Sequence, residues 1–505
     1  MNEKKALSIS VAAILIMGPL FVVFPASEGL EPGKTNMMRY DTPVYFHGES
    51  SDDYAGFGIS GAGDVNGDGY DDILIGAYGD DDGGTDAGQT YLVFGNASGW
   101  AVNTDFSGAS ASLWGENAGD NSGYCVAGAG DVNGDGYDDV IIGAPLNDEG
   151  GTDAGQIYLI FGKASGWAMD IDLSYASASF WGEAAGDEAG FSIAGVGDLN
   201  WDGYDDILIG APANDNGGTD AGQIYVVFGK ASGWTMDTNL STVPSFWGED
   251  AADYAGYSVA GAGDVNGDGF GDILAGAYGD DDGGLAAGQT YLILSKRGGW
   301  AMDNDLANAS ASFWGENAGD YSGYSVAGAG DVNGDGYHDI LIGAHRNDEN
   351  GVDAGQTYLI FGKTSGWAMD VDLSAVSASY WGESGNALTG ISVASAGDVN
   401  SDGYDDILIG SRLDIAGPTA GTSYIVMGKA SGWAMDMPIR TSSEVYWGKG
   451  GDESGRTVAG AGDVNGDGHD DFLIGAWKGF TGGKTYVIFA NAAPPAPGNL
   501  TAALA

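Results

Sequence analysis

A nine-residue pattern that recurs along the chain limits the possible folds more than any other feature. The pattern reads Asp-x-Asn-x-Asp-Gly-x-x-Asp, and successive copies are 65 to 67 residues apart. The seven copies begin at Asp64, Asp131, Asp198, Asp264, Asp331, Asp398 and Asp463. A length of 505 residues would by itself suggest about three domains, but a fixed period over residues 41–490 indicates one repeat architecture.

Each repeat carries four short segments of β character. In the second repeat these are Gly123–Gly130, Asp139–Ala144, Gln156–Gly162 and an outer segment, either Ala111–Glu116 or Ala178–Glu183. They are rich in β-branched and aromatic residues and are separated by Gly, Asn and Asp clusters. No segment between them has a helical period. The sequence therefore predicts an all-β, seven-bladed β-propeller with four-stranded blades; a parallel β-helix, with its much shorter repeats, is the second choice.

The two ends of the repeat region are complementary. Val44–Glu49 matches the outer segment but precedes the first loop, whereas no outer segment follows Tyr486–Phe489. We therefore predict that residues 43–49 close the ring as the outer strand of the seventh blade, which removes exposed sheet edges.

The segments that flank the repeats suggest an exported protein. Residues 1–27 have a basic start and an apolar run from Ala6 to Phe24, as in a signal peptide, although that run is long enough to remain as a membrane anchor. Residues 28–40 read as a leader, and the Pro-rich residues 491–505 read as a linker to a missing or truncated domain. Location in the secreted fraction or at the cell surface follows, with membrane contact only if the N-terminal segment stays uncleaved.

The repeated loop has the composition of a calcium site. Side-chain oxygens at positions 1, 3, 5 and 9 and the main-chain carbonyl at position 7 can surround a cation, while Gly at position 6 permits the turn. Hard, negatively charged oxygen ligands favour Ca²⁺. The loop is not an EF-hand, because position 12 is Ile75 rather than Glu. A metal-free Asx turn is the alternative.

We thus expect about seven structural Ca²⁺ sites, with five ligands in each. The predicted ligands, in order of the blades, are Asp64, Asn66, Asp68, Tyr70 and Asp72; Asp131, Asn133, Asp135, Tyr137 and Asp139; Asp198, Asn200, Asp202, Tyr204 and Asp206; Asp264, Asn266, Asp268, Phe270 and Asp272; Asp331, Asn333, Asp335, Tyr337 and Asp339; Asp398, Asn400, Asp402, Tyr404 and Asp406; and Asp463, Asn465, Asp467, His469 and Asp471.

The sequence resembles the FG-GAP repeat of integrin alpha-chain propellers and their prokaryotic relatives. The letters appear as Gly56-Phe57-Gly58, Gly143-Ala144-Pro145 and Gly210-Ala211-Pro212, and the resemblance covers about 450 of the 505 residues. It implies a seven-bladed propeller with calcium in the hairpin between the first and second strands, and ring closure by an N-terminal strand. All seven repeats carry the loop here, whereas integrins carry it in only some blades. The leg domains and transmembrane helix of an integrin alpha chain are absent from this sequence, so receptor signalling is not expected.

Composition narrows the class of partner. With 17 Lys and Arg against 72 Asp and Glu, the formal net charge is −55, which argues against nucleic acid and favours cations or basic partners. A second acidic series, such as residues 80–86 and 147–153, is expected on the face opposite the loops, either as solvated turns or as further cation or partner sites. The single cysteine, Cys125, excludes a disulfide framework.

No catalytic motif stands out, so we predict a binding protein rather than an enzyme. The expected function is that of an exported calcium-binding adhesion module for an unidentified extracellular protein or glycan. The alternative is an extracellular propeller enzyme such as a polysaccharide lyase or a phospholipase-type hydrolase. Acceptors for N-glycosylation occur at Asn96, Asn239 and Asn308.

Overall fold

The computed structural model describes residues 44–297, 300, 302–413, 420–479 and 482–490. All of them belong to one compact unit, which spans Thr35–Ala505. The segments that we predict to be a signal peptide, a leader and a C-terminal linker lie outside the described residues. Within the described ranges, no helix is both long and apolar enough to cross a bilayer.

Seven β-sheets arise from the seven repeats, which confirms the predicted all-β, seven-bladed propeller. The first strand of each blade is Gly58–Gly63, Cys125–Gly130, Ser192–Gly197, Ser258–Gly263, Ser322–Gly330, Thr389–Gly397 or Thr457–Gly462. The second strand is Asp72–Ala77, Asp139–Ala144, Asp206–Ala211, Asp272–Ala277, Asp339–Ala344, Asp406–Ser411 or Asp471–Ala476. The third strand is Gln89–Val93, Gln156–Ile160, Gln223–Val227, Gln289–Ile293, Gln356–Ile360, Thr422–Val426 or Lys484–Ile488.

The outer strands of blades 1 to 6 follow a short crossing segment. They are Ala111–Trp114, Ala178–Trp181, Ser245–Trp247, Ala311–Trp314, Ala378–Trp381 and Glu444–Trp447. The crossing strands before them are Asn103–Asp105, Ile171–Asp172, Thr238–Asn239, Asn304–Asp305, Val371–Asp372 and Met437–Pro438. Each crossing strand leads into a single helical turn: Phe106–Gly108, Leu173–Tyr175, Leu240–Thr242, Leu306–Asn308 and Leu373–Ala375 are 3₁₀, and Ile439–Ser442 is α.

The crossing strands connect neighbouring blades. Ile171–Asp172, for example, leaves blade 2 and pairs in parallel with the outer strand of blade 1, where Ile171 lies opposite Leu113. Blade 6 has four strands rather than five, because the seventh repeat contributes no crossing strand to it among the described residues. These contacts add a fifth strand to the other six sheets and link each of blades 1 to 6 to the blade before it.

The N-terminal strand Val44–His47 is the outer strand of the seventh blade. It pairs antiparallel with Lys484–Ile488, with Val44 opposite Val487. On its other side it pairs in parallel with Asn103–Asp105 of the first repeat. Phe46 is 1% exposed and packs against Trp100 and Phe106. The two ends of the repeat region are therefore hydrogen-bonded within one sheet.

The hydrophobic core lies between adjacent blades rather than within one sheet. One buried cluster joins Ile141 and Leu159 of blade 2 to Ile207 and Tyr225 of blade 3. The second strand, with the sequence Asp-Ile-Leu-Ile-Gly-Ala in blade 1, is buried on both faces, which explains its continuous apolar run. Its glycine permits close packing, because a β-carbon on Gly76 would collide with the Gly123 carbonyl of the next blade.

Candidate functional site

The seven acidic loops lie on one face, each between the first and second strands of its blade. In blade 1 the loop connects Gly63 to Asp72. Gly67 at position 4 and Gly69 at position 6 have φ angles of 74° and 92°, in the left-handed region. Trp201 and Ser401 adopt the same region at position 4, with φ angles of 61° and 54°, where a side chain is strained. The turn therefore needs a left-handed residue at two positions, of which the sequence indicated only position 6.

The position-1 carboxylate organises the turn. Asp64 Oδ1 accepts hydrogen bonds from the amides of Gly67 at 2.7 Å and Asp68 at 3.0 Å, and its Oδ2 accepts one from Gly69 at 2.8 Å. Asp131 in the second loop makes the same three contacts. The side chain of Asp68 stays near the surface, where it accepts from the Tyr70 amide at 3.2 Å.

The position-9 carboxylate anchors the loop to the sheet. Asp72 is fully buried and accepts from the amides of Gly95 at 2.8 Å and Val65 at 3.1 Å. The side-chain Nδ2 of Asn66 donates to the same carboxylate at 3.2 Å. Burial, with the charges of Asp68 and Asp64 nearby, raises the pKa of Asp72 to about 7. The equivalent aspartates of the other six loops are also fully buried.

The loops fit a hard divalent cation in ligand type and charge. Each presents carboxylate and amide oxygens on one tight turn, and a cation would relieve the burial of the position-9 carboxylate among other acids. Nowhere in the described ranges do three carboxylate, imidazole or thiol groups already form a metal-ligand cluster. The carboxylates of positions 1 and 9 instead accept main-chain hydrogen bonds. The predicted ligands of each loop are thus brought onto one turn but are not drawn to one point.

Position 8, one of the variable positions of the repeated pattern, contacts the neighbouring blade. The position-8 residue Asp138 accepts at 2.8 Å from the amide of Asp64 in the preceding loop. The same contact joins Asp205 to Asp131, Asp405 to Asp331, Asp470 to Asp398 and Asp71 to Asp463. The series is interrupted where position 8 is Gly271 or His338.

Positions 4 and 7 pair across the blade boundary. A β-carbon on Gly67 would lie 2.6 Å from the ring of Tyr137 in the next loop. At the two boundaries without this Gly–Tyr pair, both partners differ. The Trp201 ring lies 5.0 Å from Phe270, and Ser401 Oγ is 2.9 Å from His469 Nδ1. Comparison of the repeats could have revealed this coupling, because position 4 departs from Gly only where position 7 of the next loop departs from Tyr.

On the opposite face, a circle of mostly aromatic side chains surrounds the mouth of the central channel. One residue just before each first strand, or near its start, contributes to this mouth: Phe57, Tyr124, Phe191, Tyr257, Tyr324, Ile391 and Arg456. Adjacent rings from Phe57 to Tyr324 have centroids 4.7 to 5.0 Å apart. Below them, small residues such as Gly58, Ser258 and Ser392 line a cavity of about 230 Å³.

The channel mouth carries a positive charge, whereas the chain as a whole is strongly acidic. The guanidinium of Arg456 lies 5.0 Å from the Phe57 ring, and its Nη2 is 3.5 Å from the hydroxyl of Tyr324. Burial, together with Arg346, Arg456 and Arg412, lowers the pKa of the nearby His345 to about 3. Burial also raises the pKa of Cys125 to about 11, so the thiol is not ionised at neutral pH.

Comparison with known proteins identifies the same seven repeats that form the blades. The FG-GAP repeat model matches residues 56–93, 126–160, 189–227, 255–293, 322–360, 389–426 and 454–487, together more than half of the chain. Integrin alpha-V of Gallus gallus is 33% identical over 263 residues, which is 49% of this chain and 22% of that protein. Integrin alpha pat-2 of Caenorhabditis briggsae is 28% identical over 53% of this chain and 21% of that protein.

The match therefore spans about a fifth of the length of these integrin alpha chains. The crystal structure of BBS1N in complex with ARL6DN, soaked with lead, aligns with a TM-score of 0.41 and 8% identity, over 88% of this chain and 94% of that chain. The seven matched segments coincide with the first three strands of the seven blades. The chain belongs to the FG-GAP repeat family.

Proposed function

We propose that the protein is an exported, calcium-stabilised propeller that binds an extracellular protein or glycan. The observation that carries this proposal is the separation of two kinds of surface. One face repeats an acidic turn seven times, whereas the other opens into a cavity ringed by aromatic side chains. Similarity to integrin alpha chains supports a role in binding other molecules. The acidic face would then stabilise the fold, and the face with the cavity would recognise the partner.

Calcium would be held by the loops in their role as braces of the blades. In blade 1 the residues that would bind it are Asp64, Asn66, Asp68 and Asp72, with the carbonyl of Tyr70. The bound ion supplies positive charge between acids that are close together. The chain's own residues do the rest, because Asp64 shapes the turn, Asp72 joins it to the third strand, and Asp138 joins it to the next blade.

Recognition would take place at the channel mouth. Aromatic rings and hydroxyl groups are the usual means by which a protein contacts a sugar or a peptide side chain. Burial raises the pKa of Cys125, so this thiol is a poor nucleophile. Location outside the cell fits the export signal predicted from the sequence of residues 1–27 and the calcium levels at which extracellular modules bind, about 10⁻⁴ to 10⁻³ M.

A binding screen with paired variants tests the proposal. Immobilised glycans and extracellular proteins would be probed with the wild type, with Tyr257→Ala at the mouth and with Trp201→Ala on the loop face. We expect Tyr257→Ala to weaken binding at least tenfold and the exposed Trp201→Ala to leave it unchanged. The reverse pattern would exclude the mouth, and turnover of a polymer without a stable complex would favour an enzyme.

A further inference from the structure

A buried polar cluster lies at five of the seven blade boundaries, on the face opposite the acidic loops. It surrounds a tyrosine of the third strand, and we call it a junction, numbered by the blade that supplies this tyrosine. A Glu and an Asp come from the segment that enters the blade, and an Asp or Asn comes from the turn after the second strand. The residues are Glu49, Asp53, Asp80, Gln89 and Tyr91 in junction 1; Glu116, Asp120, Asn147, Gln156 and Tyr158 in junction 2; Glu183, Asp187, Asn214, Gln223 and Tyr225 in junction 3; Glu249, Asp253, Asp280, Gln289 and Tyr291 in junction 4; and Glu316, Asp320, Asn347, Gln356 and Tyr358 in junction 5.

In junctions 2, 3 and 5 an asparagine supplies the hydrogen-bond donor that the buried acid needs. The Nδ2 of Asn147 donates to Asp120 Oδ2 at 2.8 Å and lies 3.2 Å from the hydroxyl of Tyr158. Asn214 and Asn347 make the same bond to their own aspartates at 2.9 and 3.0 Å. These carboxylates are thus buried with a side-chain partner, as buried charges require.

In junctions 1 and 4 that asparagine is replaced by an aspartate. Asp280 Oδ1 accepts from the amide of Asp282 at 2.9 Å, as Asn147 Oδ1 accepts from that of Glu149 at 2.8 Å. The two side chains therefore have the same orientation, and Asp280 places Oδ2 where Asn147 places its donor Nδ2. A carboxylate oxygen cannot donate, so the replacement removes the donor and adds a negative charge at the same point.

The tyrosine of junction 4 cannot satisfy the acids around it. Its hydroxyl lies 3.0 Å from Asp280 Oδ2 and 3.1 Å from Glu249 Oε2, but Tyr291 has one proton to donate. Asp253 and Asp280 are only 3% and 2% exposed. Glu249 and Asp280 thus compete for the one proton of the Tyr291 hydroxyl, and the buried Asp253 lies close enough to feel the charge of both.

A second observation at junction 4 points to a ligand. Gln289 is fully buried, and neither Oε1 nor Nε2 of its amide has a hydrogen-bond partner in the described part of the chain. It lies two residues before Tyr291 and so faces the same side of the strand. In junction 1 the equivalent Gln89 Oε1 is 3.3 Å from the hydroxyl of Tyr91, which shows that this position points into the cluster. The amide oxygens of Gln156 and Gln356 also lack a partner, but the Nε2 atoms of these two residues are hydrogen-bonded. Among the five described junctions, junction 4 alone therefore leaves both polar atoms of the glutamine amide unsatisfied.

The seventh blade shows that this site accepts positive charge. At the position of the glutamine it carries Lys484, whose Nζ lies 3.8 Å from Asp452 Oδ2. Asp452 is fully buried. A buried acid in this place therefore accepts a hydrogen bond from a neutral side-chain amide in three junctions and is paired with an ammonium group in the seventh blade.

We propose that junction 4 binds a divalent, oxygen-preferring cation, with Ca²⁺ as the expected ion. The ligands would be Glu249, Asp253, Asp280 and the amide oxygen of Gln289, which in the described residues do not yet converge as a metal-ligand cluster. All are hard oxygen ligands with a net negative charge, as Ca²⁺ prefers. Junction 1 has the same acids, but both polar atoms of its Gln89 amide are already hydrogen-bonded. The site is separate from the seven loops and does not depend on calcium binding there.

Calcium stoichiometry tests the proposal directly. Equilibrium dialysis with radioactive Ca²⁺ would compare the wild type with Asp280→Asn, which copies the asparagine of junctions 2, 3 and 5. We expect the number of bound ions to fall by one. The matched control Asp80→Asn, in junction 1, should leave the number unchanged. The converse variant Asn147→Asp, in junction 2 where the Gln156 oxygen has no partner, should gain one. If the loops bind no calcium, the wild type binds one ion and Asp280→Asn none, so the two proposals are distinguished.

Thermal melting provides an independent measurement, which also detects whether a substitution alters the stability of the fold. Without calcium, Asp280→Asn should raise the melting temperature relative to the wild type, because a donor replaces a repelling carboxylate. In saturating calcium the same substitution should lower it, because a bound ion is lost. Unchanged stoichiometry with a higher melting temperature in both conditions would overturn the proposal in favour of a protonated carboxyl group. A lower melting temperature in both conditions would assign Asp280 a purely structural role.

Discussion

The two faces of the propeller differ in how much their seven copies vary. On the loop face, all seven turns keep the same Asp, Asn, Asp, Gly and Asp residues. On the opposite face, the ring position at the channel mouth changes from Phe57 to Tyr124 to Arg456, and the junction residue changes from Asp280 to Asn347. The repeated residues are the same on the face where every blade has the same turn, and they vary at the channel mouth and between the blades on the opposite face. The difference suggests that stability and recognition are assigned to opposite ends of the strands.

Removal of calcium should have the largest effect, and it should act through the loop face. At a concentration ten times the dissociation constant, each site contributes about 1.4 kcal/mol, or about 10 kcal/mol for seven. For a domain of this size the melting temperature should fall by about 10 °C. Calorimetry in calcium and in EDTA measures the shift. Equal melting temperatures in the two buffers would remove the structural role of the loops.

A single loop should show the same dependence on a smaller scale. Asp131→Asn weakens an acceptor of three main-chain amides and removes a charged ligand. We expect a loss of about 2–3 kcal/mol of unfolding free energy in calcium and about 1 kcal/mol in EDTA. Urea denaturation in both buffers measures the difference. A loss that is the same in both would mean that Asp131 acts only through its hydrogen bonds.

Acid should destabilise the opposite face through His345. Burial and three nearby arginines lower the pKa of this imidazole in the folded state to about 3, against about 6.5 in the unfolded chain. The unfolded state therefore binds the extra proton, and stability falls as the pH drops from 6.5 towards 3. Compared with His345→Gln, the wild type should lose about 2 kcal/mol between pH 7 and pH 5. Parallel pH profiles for the two proteins would contradict this assignment.

Loss of one hydroxyl at the mouth should have a modest effect that does not depend on calcium. Tyr257→Phe removes the 2.9 Å hydrogen bond between the hydroxyls of Tyr257 and Tyr324. The expected cost is about 1 kcal/mol, and urea denaturation should give the same value with calcium and with EDTA. A calcium-dependent cost would show that the two faces are coupled through the blade.

The smallest effect should come from making the exceptional loop boundary regular. The double variant Trp201→Gly and Phe270→Tyr restores the Gly–Tyr pair seen at Gly67 and Tyr137. It relieves a left-handed tryptophan but loses the contact between two rings, so the change should remain within about 1 kcal/mol. Each single substitution should cost more than the double variant, which a double-mutant cycle would measure. Additive single effects would argue against coupling across the boundary.

The sequence predicted local features better than contacts between blades. The period, the four strands per repeat and the location of the Asp64–Asp72 turn all follow from patterns within one repeat. Asp138 stands at a variable position of the repeated pattern. Its role is not visible within one repeat, because its partner, the amide of Asp64, belongs to the preceding repeat. The crossing strand Ile171–Asp172 is too short to have a recognisable β pattern, and it forms because the outer strand of blade 1 lies beside it.

The junctions illustrate the same limit. Asp280 and Asn347 are visible in the sequence as members of an acidic series that we expected on the face opposite the loops. Their significance depends on which side chains meet them, and Asp253 and Tyr291 reach that point from other segments of the blade. Spacing within one repeat does not reveal this convergence, so the difference between junction 4 and its neighbours could not be predicted from the sequence.

The outer strand of the seventh blade has a consequence for synthesis of the chain. Val44–His47 leaves the ribosome more than 430 residues before its antiparallel partner Lys484–Ile488. At about 5–20 residues per second, roughly 20–90 s pass before that partner is made. The parallel partner Asn103–Asp105 is translated much earlier, so the nascent chain can cover one edge of the strand while the other waits. Among the described residues, the last strand translated, Lys484–Ile488, is thus also the one that completes the ring.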